Sequence, residues 1–165
     1  MYQQRFSLLL LIVALFAFST CDTNSEGDND PCAGNFDQTS MFTNIADNLI
    51  IPAYSDFAEK ATALDNAANN FISNGTEADF DSFRASWEAA YLSYQNIAQY
   101  EFGPAEDQLL RSTIGNFPAN TEEIENILNN GTFDINAPDA YFKGFAALDY
   151  LLYGLSDNKA EIMSS

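Results

Sequence analysis

Beyond about position 40, apolar residues recur mostly at spacings of three and four, the period of helices that bury one face. Ile45, Leu49 and Ile50 open the first stripe, and Tyr54, Phe57, Ala61, Leu64, Ala68, Phe71 and Ile72 carry it to Asn74-Gly75, a helix-stopping pair. Pro52 interrupts it. A proline disfavours helical geometry in the residue before it, so a kink or restart is expected at Ile51, with Pro52 in the first turn of the second piece. Thr76 followed by Asp79 has the spacing of a capping box, with the acid near the positive end of the helix dipole. From there Phe80, Phe83, Trp87, Ala90, Tyr94 and Ile97 repeat as 3-4-3-4-3, a seam for packing along another long helix. An antiparallel helix pair joined by a tight turn follows.

Glu101-Phe102-Gly103-Pro104 stops and redirects the second helix, and a short helical piece at about Ala105 to Arg111 leads into an irregular stretch ending at Pro118. Thr121, with Glu122 and Glu123 in the first turn and Ile124, Ile127 and Leu128 beyond, predicts a third helix ending at Asn130-Gly131. A fourth is expected from about Pro138, with Tyr141, Phe145, Leu148 and Leu152 on one face and its stop at Gly154. No stretch alternates β-branched residues in the manner of a strand. The expectation is an all-α protein, a helical bundle of about four main helices over residues 39–156 with a tail at 157–165. Its many aromatics, eight Tyr and fourteen Phe in the chain, are assigned to core packing in preference to an aromatic ligand box.

Residues 1–20 obey a different pattern. Arg5 precedes a mainly apolar run from Phe6 to Phe18, and Ser19 and Thr20 lead to Cys21, the layout of a secretory signal. The run is shorter than the roughly 20 residues a membrane-spanning helix needs. Residues 21–38 are rich in Gly, Asp, Asn, Ser and Pro and read as a flexible acidic tether. Once Arg5 leaves with the signal, five basic residues face 24 acidic ones, a formal charge of −19. Such a surface excludes nucleic acid as a partner and disfavours anionic membrane faces. Solubility outside the cell accounts for the acidity, with specific cation binding as the alternative.

The chain has no histidine, which leaves serine without its usual base and Cys32 without a partner for zinc or nucleophilic chemistry. Glu106-Asp107 and Glu122-Glu123 are neighbours in sequence, so their side chains diverge on a helix and read as helix-start charges. Gly103 and Gly115 are isolated and form no phosphate loop.

Placement of Cys21 directly after the apolar run resembles the bacterial lipobox, although Phe18-Ser19-Thr20 departs from its usual Leu-Ala-Gly type. The acids Asp22, Glu26, Asp28 and Asp30 resemble the surface-export signal of Bacteroidetes lipoproteins. These resemblances imply lipidation at Cys21 and an outer-membrane anchor facing the cell surface or periplasm. Cys32 would then stand alone; without lipidation, Cys21 is free or bonded to Cys32.

Three further stretches resemble the imelysins, also described as imelysin peptidases or iron-regulated lipoproteins. They are Asn48-Leu49-Ile50-Ile51-Pro52-Ala53-Tyr54; Ser86-Trp87-Glu88-Ala89-Ala90 leading to Glu101-Phe102-Gly103-Pro104-Ala105; and Lys143-Gly144-Phe145-Ala146-Ala147-Leu148-Asp149-Tyr150-Leu151-Leu152-Tyr153-Gly154. The family signature is Gly-x-His-x-x-Glu. Laid on Gly144, it puts Ala146 at the histidine and Asp149 at the glutamate. Residues three apart share a helix face, so His and Glu there could jointly offer a metal two donors. Alanine offers none, and Asp149 is a weak lone anchor for a divalent metal or iron. The resemblance covers about the first of two helical bundles, which leaves a single-bundle relative and a truncated gene product both open. It implies a non-catalytic lipoprotein tied to iron or other metal acquisition, with a protein-interaction module as the alternative and a metallopeptidase disfavoured.

Overall fold

The structure, a computed structural model, describes residues 36–134, 136 and 141–164. The expected signal, most of the tether and both Cys21 and Cys32 lie outside the described residues. Thr39–Ser165 form one unit. The described residues are helical without strands, as the sequence predicts.

Helix α1 spans Gln38–Ile45 and passes through a single π turn, Ala46–Ile50, into α2, Ile51–Asn74. The break expected at Pro52 takes this form. Ile51 keeps helical angles (φ −59°, ψ −47°), and the wider turn just before the proline lets the helix continue where the ring and its missing N–H oppose a normal α turn. Gly75, left-handed at φ 65°, ends α2, and Thr76 caps α3, Glu77–Ile97, by accepting from the Asp79 N–H at 3.1 Å.

α2 and α3 make the most extensive contact of the domain. The α3 seam faces inward as its spacing requires: Phe80, Ala90, Tyr94 and Ile97 are buried. On α2 the buried position is Ala67, and Ile72, assigned above to the stripe, is exposed, because the helix ends one turn beyond its last core contact at Phe71. Ser93, buried on α3, donates to Asp56 of α2 at 2.5 Å, which satisfies the hydroxyl.

Two short helices follow, α4 at Pro104–Asp107 and α5 at Leu110–Ile114, then α6 at Thr121–Asn130, capped by Asn120 and closed by left-handed Gly131. The fourth main helix starts later than predicted. Tyr141 to Gly144 form turns and bends, and α7 spans Phe145–Asp149 before a second π turn, Tyr150–Gly154. Gly144, at φ 86° and ψ −170°, sets this start, because its backbone has left helical space. The stretch expected as a tail carries α8, Lys159–Ser164, whose Ile162 is buried against Phe80 and Leu152. Lys159 bridges to Glu77 at 2.9 Å and Asp81 at 2.5 Å and so fixes α8 on α3.

The core has two clusters. One gathers Ala90, Tyr94, Ile97 and Phe145, the other Phe80, Leu152 and Ile162; Trp87 packs against both. Arg84 joins the second π turn to α3. Its guanidinium donates twice to the Leu152 carbonyl and lies 4.5 Å from the Phe80 ring centre and 4.3 Å from that of Tyr153.

Candidate functional site

α7 carries two of the signature positions, Ala146 and Asp149, with Gly144 just ahead of it, and meets α3 at a pocket of about 360 Å³. Gly144 lets the chain approach α5 closely: a Cβ there would lie 2.6 Å from the Ile114 carbonyl oxygen. This contact aims α7 so that half-buried Ala146 and exposed Asp149 both line the pocket. Trp87 fixes the same geometry from α3, its indole N–H donating to the Phe145 carbonyl at 3.2 Å.

The other walls come from α3 and from the end of α5. Trp87 stacks on Tyr91, with centroids 5.5 Å apart and planes 8° from parallel, and Phe145 lies 5.4 Å from Tyr91 and 5.3 Å from Tyr94. Tyr94 is 5 % exposed, and its hydroxyl fills the place where a Gly115 side chain would be, 2.1 Å from the would-be Cβ. Arg111 lines the mouth and is already engaged. Its Nε lies 3.2 Å from Glu101, its Nη2 donates to the Ala98 carbonyl at 2.7 Å, and its backbone N–H donates to Glu101 at 2.9 Å. Glu101 of the turn motif therefore holds α5 against the end of α3. Gly103, at φ 58°, and Pro104, at the first position of α4, make the turn itself, and Phe102 stays exposed.

By contrast, the Tyr94 hydroxyl, the Gln95 amide and the Asp149 carboxylate have no hydrogen-bond or ion-pair partner among the described residues. The structure thus unites Ala146 and Asp149 with Tyr94, Gln95, Arg111 and Gly115. Sequence reading had placed Tyr94 in the packing seam, and nothing local marks Gln95 or Arg111.

Burial raises the Tyr94 phenol above its ordinary 10.0, with Arg111 opposing and Glu101, Tyr91 and Tyr54 adding to the rise. Tyr153 is raised mainly by burial, against the pull of Arg84, and Tyr54 by burial and then by Glu101. A folded state that holds these protons more tightly than the unfolded chain is fully stabilised by them below the unfolded value. That contribution is lost as pH rises through the folded values. Urea denaturation followed across alkaline pH is expected to show stability declining above about pH 10, and Tyr94→Phe to make the decline shallower. A decline identical in Tyr94→Phe would remove Tyr94 from this account.

The residues do not fit a metal centre. Ala146 has no donor atom, Asp149 offers one exposed carboxylate, and among the described residues no three His, Cys, Asp or Glu side chains converge.

The Imelysin family model matches residues 50–163 of the chain. "Iron-regulated protein A" of Synechococcus elongatus is 22 % identical over 111 residues, which are 67 % of this chain and 30 % of that protein. A crystal structure from Parabacteroides distasonis, described as an iron-regulated protein A precursor, superposes with a TM-score of 0.63 at 22 % identity, covering 76 % of this chain and 39 % of the other. The chain spans less than half the length of these two relatives. With most of the described helices inside the matched region, the chain belongs to the imelysin family.

Proposed function

We propose that this protein is a non-catalytic imelysin-family lipoprotein, anchored through Cys21 in the outer membrane and serving the acquisition of iron or another metal from the cell surface or periplasm. The observation that carries the non-catalytic part is Ala146 at the histidine position of the signature. Metal-assisted hydrolysis needs a held metal, an activated water and a base; this chain has no histidine, and among the described residues no three His, Cys, Asp or Glu side chains converge. The link to iron rests on the names of the two relatives. The anchor rests on the sequence around Cys21.

Purified protein is expected to leave an unstructured peptide intact with or without added iron, calcium or zinc; cleavage abolished by a chelator would overturn the non-catalytic reading. Isothermal titration with the same metals tests the other part. Saturable binding at micromolar metal supports direct metal binding by the chain, and its absence removes direct metal binding from the proposal.

An apolar groove of about 540 Å³ beside the Phe-Gly-Pro turn, formed by Ile51, Tyr54, Phe102 and Leu110 among others, favours a second reading as a protein-interaction module. Light scattering after size-exclusion chromatography checks the self-associating form of it: a mass that stays monomeric at every concentration counts against a second copy in the groove.

A further inference from the structure

We infer that the pocket between α3 and α7 is a receptor for a compact organic ammonium ion. This goes beyond the reading above, because it concerns what the pocket holds where the family signature would place a metal. The volume, about 360 Å³, falls in the range of small-molecule sites. Trp87, Tyr91 and Phe145 supply aromatic surface, whose negative faces attract a cation with an apolar body.

The polar groups fit the same ligand. Tyr94 is more than nine-tenths buried, yet its hydroxyl, facing the pocket past Gly115, has no protein partner among the described residues. No buried polar side-chain atom lacks a partner among the described residues, so the Tyr94 hydroxyl is open to the pocket and can donate to or accept from a ligand there. Gln95 adds an amide that can both donate and accept. Charge selects the sign: Arg111 is balanced by Glu101, which leaves the Asp149 carboxylate as the uncompensated charge on the lining. A bare metal ion would meet one carboxylate and several rings, a poor coordination shell; an ammonium group carrying methyl or methylene groups uses both. Ala146 leaves the space open that an imidazole would enter.

The test titrates the full chain with choline and with 3,3-dimethylbutanol, its neutral counterpart of the same shape, following Trp87 fluorescence and heat. The chain has one tryptophan, so the optical signal reports the pocket wall. Choline is expected to saturate, 3,3-dimethylbutanol to bind at least about tenfold more weakly, and Asp149→Asn to weaken choline by about tenfold while leaving 3,3-dimethylbutanol unchanged. Ala146→His is expected to reduce choline binding by filling the pocket, with an unchanged circular dichroism spectrum showing that the fold survives. Equal binding of the charged and neutral compounds, no saturation by choline at millimolar concentration, or indifference to Asp149→Asn overturns the proposal. Vesicles of phosphatidylcholine separate the two sources of such a group: sedimentation with them that free choline inhibits assigns a lipid headgroup, and binding of choline alone assigns a soluble ligand. Metal titration run in parallel keeps the readings apart, since iron binding that choline does not disturb leaves the metal role standing whatever the choline result.

Discussion

Gly144→Ala is expected to destabilise the domain by about 3 kcal/mol, the sum of a backbone held where only glycine is at ease and a methyl group with no room. Gly144 sits at φ 86° and ψ −170°, and the added Cβ would lie 2.6 Å from the carbonyl oxygen and 2.8 Å from the carbonyl carbon of Ile114. Both are backbone atoms, so no side-chain rotation relieves the clash. Gly75→Ala provides the comparison. Gly75 also has positive φ, 65°, but nothing lies within 4 Å of its would-be Cβ, and it should lose only about 1 kcal/mol. Urea midpoints of the two variants at equal m-values decide the matter. Similar losses would mean that the turn before α7 is not pressed against α5, and the positioning of Ala146 and Asp149 would need another cause.

Trp87→Ala should cost about as much, roughly 3 kcal/mol, the lower end for a large aromatic because the ring is only partly buried. The effect comes from position: this one ring packs against both core clusters, stacks on Tyr91, touches Tyr153 at 5.7 Å and donates to the Phe145 carbonyl. Trp87→Phe keeps most of the apolar contact and removes the donor, so about 1 kcal/mol is expected. Denaturation followed by circular dichroism separates the cases. A loss in Trp87→Ala no greater than the roughly 0.5 kcal/mol of an ordinary surface change would show that the clusters hold without this link.

The helix pair was legible because its signals are local and agree with one another. The seam from Phe80 to Ile97, the cap at Thr76 and the stop at Gly75 all specify the same two helices, and the structure shows each of them in place. The start of α7 was not legible. Apolar spacing runs through Tyr141 and Phe145 without a break, whereas the actual boundary is set by contact of Gly144 with Ile114, thirty residues back in the chain and invisible to periodicity. The same holds for α8, whose one buried apolar residue, Ile162, gains meaning only when Phe80 and Leu152 stand beside it. Of the residues that resemblance picked out, the fold brings Ala146 and Asp149 to one wall of the pocket with α3, and Gly144 sits in the turn before α7. Tyr94 fitted the packing seam so well that its hydroxyl went unnoticed, and Gln95 and Arg111 become lining residues only through the turn that Glu101 holds.

The two π turns lie in different settings, one ahead of Pro52 at the start of the long α2 and one directly after Asp149 at the end of the short α7. Each holds one residue more than the α turn in its place. In evolutionary terms such a turn is a single inserted residue absorbed without moving the helix axis. A relative that lacks the extra residue would superpose on α7 up to Asp149 and then align one position out of step from Tyr150 onward. The frame that relates Gly144, Ala146 and Asp149 to the family signature is therefore dependable on the N-terminal side of that turn, while any equivalence drawn from Tyr153 or Leu155 has to be made in space before it is made in sequence.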